Sequence, residues 1–148
     1  MRITVDTAIL VRANAKANGP AKALLDTIER CGSVLVLSPY LLQEVERVLA
    51  YPRMQAIYKL NEMEVQQHVD YLTSFAEIVT PAQGPPVVHA DPDDDPVIYT
   101  AVAGGADVVC TLDKHFYEPA VLSFCARQRI RVMNEVQLLQ LLRAQLPS

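Results

Sequence analysis

Val34-Leu-Val-Leu37-Ser38-Pro39-Tyr-Leu-Leu-Gln-Glu44-Val-Glu-Arg-Val-Leu49 is the stretch that decides the fold class. Its first four residues are apolar without alternation, the mark of a strand buried on both faces. Ser38 and Pro39 then supply an N-cap and a first-turn proline, which predicts a helix running to about Ala50. A buried strand feeding straight into a helix is one βα unit, and similar units flank it.

Upstream, residues 3–5 form a short apolar strand ending at Asp6, and Pro20–Arg30 has helical spacing with Gly32 as its stop. Downstream, Pro52 begins a helix, Asn61 with Glu64 caps another to about Ala76, and 77–79 read as a short strand. Asp95-Pro96 reads as N-cap plus first-turn proline of a helix reaching Gly104-Gly105. Residues 107–111 read as a strand, 120–127 as a helix and 130–133 as a last strand, and Asn134 with Gln137 caps a final amphipathic helix. Strands alternating with helices predict right-handed crossovers and a mostly parallel sheet covered on both sides.

The 148 residues, 51% hydrophobic and 20% charged, suit one domain over 1–148. The single composition break, 80–96, is rich in Pro, Gly and Asp, and its flanks read as parts of one sheet. No apolar run approaches a membrane span, and Asp6 comes too early for a signal peptide, so a cytoplasmic protein is expected. Cys31, Cys110 and Cys125 are odd in number and far apart, which argues for buried free thiols over disulfides or a zinc site. A net charge of −4 speaks against binding nucleic acid by a broad basic face. It does not speak against a nuclease, because divalent ions in an acidic site reverse the local field.

In parallel sheets ligands sit beyond the strand C-termini. Asp6 ends the first strand, Asp113 follows the strand 107–111, and Asp91, Asp93, Asp94 and Asp95 lead into the helix before it. On the helix after Ser38-Pro39, Glu44 lies beside the stripe Leu41, Val45, Val48, while Glu46 flanks Leu42, and helical spacing does not choose between them. Carboxylates that converge repel one another unless protons or cations intervene, and hard oxygen ligands suit Mg²⁺ or Mn²⁺. Such ions bind phosphate oxygens and activate water, so no covalent nucleophile is needed. Each acid also has a plainer role: Asp6 as a strand end, Asp95 as the helix N-cap, Asp91 and Asp93 as solvated loop charges, Asp113 as a turn opener. His68, His89 and His115 share no metal spacing and read as surface or structural residues. Tyr51 and Tyr58 near Arg53 and Lys59 read first as core and helix-surface residues and second as base-stacking positions, and Arg127, Arg129 and Arg131 as a solvated edge.

Val5-Asp6-Thr7 resembles the opening of PIN domains, and Ser38 to Leu49 resembles that family's second motif. Asp91-Pro-Asp-Asp94-Asp-Pro-Val-Ile-Tyr-Thr-Ala101 is similar to the third, and Ala106-Asp-Val-Val-Cys-Thr111-Leu-Asp113 to the fourth. Each is weak alone; together, in order, from Arg2 to about Gln140, they are specific. The resemblance implies a three-layer α/β/α sandwich and Mg²⁺- or Mn²⁺-dependent cleavage of single-stranded or structured RNA. It places catalytic and metal-binding roles on Asp6, Glu44, Asp94 and Asp113, leaves Asp95 to cap the helix, and makes Thr111 a steadying hydroxyl. The subgroup most resembled comprises toxins of toxin–antitoxin pairs, which implies an antitoxin partner and often a homodimer. One departure stands out: the family usually carries Asn where Ala8 stands, so a PIN-fold module acting by RNA or protein binding, without catalysis, is the alternative. A receiver domain would need an Asp at Leu37-Ser38, and a haloacid-dehalogenase-like phosphatase one at Ala8.

Overall fold

The structure, a computed structural model, describes residues 1–82, 84–89 and 91–146. Gln83 and Ala90, inside the expected break, and residues 147–148 lie outside it. Five strands form one sheet: β1 (Arg2–Val5), β2 (Val34–Leu37), β3 (Glu77–Ile78), β4 (Val108–Cys110) and β5 (Arg131–Met133). Their order is β3-β2-β1-β4-β5, and every pairing is parallel, with Ile3 opposite both Leu35 and Val108. The sheet is therefore wholly parallel, where the sequence predicts a mostly parallel one. Segments from both sides of 80–96 contribute strands to it.

The helices are α1 (Thr7–Arg12), α2 (Pro20–Arg30), α3 (Pro39–Leu49), α4 (Pro52–Tyr58), α5 (Glu62–Phe75), α6 (Asp95–Ala103), α7 (Pro119–Arg127) and α8 (Glu135–Gln145). The chain runs from β1 outward to β2 and β3, then crosses back to β4 and β5. Right-handed connections put α1 to α5 on one face and α6 and α7 on the other. α8 packs on α2, and α6 lies across β1, β2 and β4, which completes a three-layer α/β/α sandwich. The core is centred on Ile3, Val5, Leu35, Leu37, Val108 and Val109, all without solvent exposure. Gly104 belongs to this packing, since a Cβ there would come within 2.2 Å of the Val36 side chain. Among the described residues no helix is long and apolar enough to cross a membrane.

Several local expectations hold. Ser38 accepts from the Leu41 N–H, and reciprocal capping boxes close Asn61 with Glu64 and Asn134 with Gln137. Two do not. α1 is absent from the sequence reading because its six residues bury Ile9, Leu10 and Val11 in succession, so it shows no helical period. Asp95 is not the cap of α6 either. A 3-10 turn, Pro92–Asp94, runs directly into that helix, and Asp91 caps the turn by accepting from the Asp93 N–H at 3.1 Å. The Asp95 carboxylate turns instead to the preceding loop, where it accepts from the Val87 and Val88 N–H groups at 3.1 and 2.7 Å.

Candidate metal centre

β1 sits where the crossovers leave in opposite directions, and the ends of β1 and β4 form the crevice such a switch point opens. Asp6 directly follows β1 and is the N-cap of α1, with one carboxylate oxygen 3.4 Å from the Ala8 N–H. Its other oxygen accepts from the Thr111 hydroxyl at 2.6 Å. The same Thr111 Oγ1 accepts from the Asp113 N–H at 3.0 Å, so one buried hydroxyl ties the end of β1 to the turn after β4. Tyr117 steadies that turn by donating to the Thr111 carbonyl at 2.7 Å. Thr111→Val strands both partners of this hydroxyl. We expect it to cost about 2 kcal/mol, read as a lower urea midpoint, whereas Thr111→Ser should stay near the native value. A valine variant as stable as the native protein would remove Thr111 from this role.

Asp6, Glu44, Asp94 and Asp113 all line one cavity of about 470 Å³, together with Ala8. An adjoining cavity of about 430 Å³ is shared by Asp6, Glu44 and Asp94 with Asp91, Asp93, Tyr40 and Arg47. Glu44 faces both, whereas Glu46 is exposed and lines neither, which resolves what the helical wheel leaves open. Glu44 pairs with Arg47 one turn along α3. Ala8 contributes a backbone amide that any residue would supply, so its side chain is not what holds Asp6.

His115 is the residue the sequence reading misses. Its spacing from the other histidines suggests nothing, yet the 3-10 turn Lys114–Tyr117 brings its Nδ1 to 3.5 Å from Asp113. Asp91, Asp94 and His115 offer ligand atoms within 4.8 Å of one another. Of the four acids singled out in the sequence, that tight group contains Asp94 alone; Asp6, Glu44 and Asp113 lie outside it and share with Asp94 the lining of the cavity. The signal available in the sequence was the two-residue step from Asp113 to His115 across a turn. His68, by contrast, is buried against the Leu10 carbonyl at 3.0 Å, and His89 is exposed. Tyr51 and Tyr58 line neither acidic cavity, and Arg127, Arg129 and Arg131 are exposed. Cys110 and Cys125 are buried free thiols, pushed up by burial to about 12 and about 11, while Cys31 is half-buried.

The electrostatics record the crowding. Burial raises the Asp6 carboxyl above its ordinary value, with the Asp113 charge adding to it and the Thr111 hydrogen bond opposing it. Asp94 is pushed up to about 7, first by burial and then by the charges of Asp113, Asp91 and Asp6. An acid whose folded pKa is raised favours the folded state below its ordinary value, 3.8, and loses that contribution as pH climbs to about 7. In EDTA the melting temperature of the native protein, relative to that of Asp94→Asn, should therefore fall between about pH 4 and pH 7. With solvent screening the loss is on the order of 1 kcal/mol, or about 3 °C. His68, whose imidazole is pushed down by burial, works in the opposite sense over this range, so equal profiles for the native protein and Asp94→Asn would show that Asp94 is not raised.

The donor set fits a divalent cation. Asp94 Oδ2 and His115 Nδ1 are buried atoms without a hydrogen-bond partner among the described residues, and a cation held by both residues would satisfy them while offsetting the repulsion. Oxygen donors with one imidazole suit Mg²⁺ or Mn²⁺, the nitrogen favouring Mn²⁺. A family model for the PIN domain matches residues 2–115 of this chain. The matched span carries β1 to β4 and all the acids described above. Nothing matches among curated proteins or among solved structures.

Proposed function

The chain belongs to the PIN-domain family, whose fold is of the nuclease type, and from that premise we propose that it is a metal-dependent endoribonuclease. The observation that carries the reading is the convergence of Asp6, Glu44, Asp94 and Asp113 on one cavity at the switch point of the sheet. Asp6, Glu44, Asp94 and Asp113 would hold Mg²⁺ or Mn²⁺, with Asp91 and His115 as neighbouring donors. A bound ion of this kind supplies Lewis acidity, polarising a phosphoryl oxygen and lowering the pKa of an attacking water.

The chain's own groups do the rest. Thr111 fixes the Asp6 carboxylate and the Asp113 turn in one position, so the ligands need not be ordered at the moment of binding. Arg47 lines the cavity next to Glu44 and pairs with it. With Glu44 among the residues that would hold a cation, the Arg47 guanidinium would be free to hold the phosphate, for which its planar fork is suited. RNA as the substrate, the role of toxin in a toxin–antitoxin pair, an antitoxin partner and a homodimer extend this reading, and the likeness of the four motifs to the toxin subgroup supports them.

The test is incubation of the purified protein with mixed single-stranded RNA in Mn²⁺ and in EDTA. Fragments appearing in Mn²⁺ alone are expected. Intact RNA in every metal would overturn the enzyme and leave a PIN-fold module that binds RNA or protein, with Ala8 as the first position to change.

A further inference from the structure

Next to the acidic cavities lies a mainly apolar hollow of about 420 Å³, walled by prolines such as Pro39 and Pro96 and by Tyr40 and Tyr99, with Asp95 the acid on its lining. Tyr40 lines both this hollow and the acidic cavity that Asp6, Glu44 and Asp94 share. It is 42% exposed, far more than packing in a core requires.

The hollow is built before any ligand arrives. Tyr99 donates its hydroxyl to the Pro85 carbonyl and meets Phe124 edge-on at 6.4 Å. A Cβ on Gly84 would come within 2.4 Å of the Tyr99 oxygen, so the loop lies against this ring only because residue 84 has no side chain. The Asp95 carboxylate fastens the same loop through the Val87 and Val88 N–H groups. With its walls held from two sides, little ordering opposes binding.

Its occupant follows from continuity with the acidic cavity and from charge. A net charge of −4 leaves no broad basic face for the phosphates of a polynucleotide beyond the one that a cation and Arg47 would hold in the acidic cavity. Affinity for the strand beyond that phosphate must then come largely from a contact that carries no charge. An unpaired base beside a phosphate in the acidic cavity meets an aromatic and proline surface at the shared side chain, and base–aromatic stacking is such a contact.

We infer that this hollow is a nucleobase subsite, in which an unpaired base of single-stranded RNA adjoining the scissile phosphate stacks on Tyr40 against the inner wall formed by Tyr99. The inference rests on the nuclease reading and deepens it, since it makes Tyr40 a substrate-binding residue and an unpaired strand the substrate form.

The test separates the two. A fluorescein-labelled, unstructured oligoribonucleotide is titrated with the Asp94→Asn protein in Mn²⁺, and binding is followed by anisotropy with and without Tyr40→Leu or Tyr40→Trp. Leucine should weaken binding roughly tenfold and tryptophan should preserve it. An oligonucleotide carrying a run of abasic sites should bind weakly and show no difference between tyrosine and leucine. Tyr40 is exposed, so both variants should melt with their parent, and the melting curves are recorded alongside. Equal binding of the leucine variant, an equal loss on the abasic strand, or no binding by any form would overturn the subsite. Absence of cleavage by the native protein in the RNA incubation above would instead overturn the nuclease reading.

Discussion

Asp94→Asn should lower Mn²⁺-dependent RNA cleavage at least about a hundredfold while leaving the protein folded. Asp94 is the acid on which the charges of Asp113, Asp91 and Asp6 all bear, and its Oδ2 is buried without a partner among the described residues. The amide keeps the shape but removes the charge a cation requires. Because it also removes a like charge from a crowded site, the metal-free variant should melt no lower than the native protein, and at about pH 7.5 somewhat higher. Loss of activity without loss of stability separates a ligand from a structural residue. Cleavage within tenfold of native would mean that the ion is held elsewhere.

The second large effect is on stability. A cation that binds the folded protein and not the unfolded chain stabilises it by about 2.7 kcal/mol at a hundredfold excess over its dissociation constant. For a chain of this size that is a rise of about 8 °C in melting temperature. We expect the rise with Mn²⁺ at about pH 7.5, where the carboxylates crowd most, and a much smaller one near pH 5, where Asp94 holds a proton. Asp6→Asn and Asp94→Asn should each remove about half of it or more. A rise that survived both changes would place the ion away from the strand ends.

These expectations trace back unevenly to the sequence. Val34 to Leu37, apolar and unbroken, announced a strand buried on both faces, and Ser38-Pro39 the helix after it, because buried strands and capped helix starts are local chemistry. Asp6 and Asp113 were legible for the same reason: each closes a strand, and parallel strands share one C-terminal edge. What stayed hidden depended on contacts distant in sequence or on missing periodicity. α1 carries an apolar run too short to show a helical period. The choice between Glu44 and Glu46 needed the direction in which α3 lies on the sheet, which no wheel supplies and which the family resemblance reached by another route. His115 looked isolated because only the turn Lys114–Tyr117 and the approach of Asp91 and Asp94 give it company. Asp95 satisfied every local rule for a cap, but the 3-10 turn before α6 moved that role to Asp91 and left Asp95 to the loop.

The central claim is that these carboxylates form a metal centre, and titration of Mn²⁺ followed by electron paramagnetic resonance addresses it without requiring a substrate. The native protein should show saturable binding that Asp6→Asn and Asp94→Asn each weaken about tenfold or more. No saturable binding, or binding that both variants keep at native strength, would contradict it.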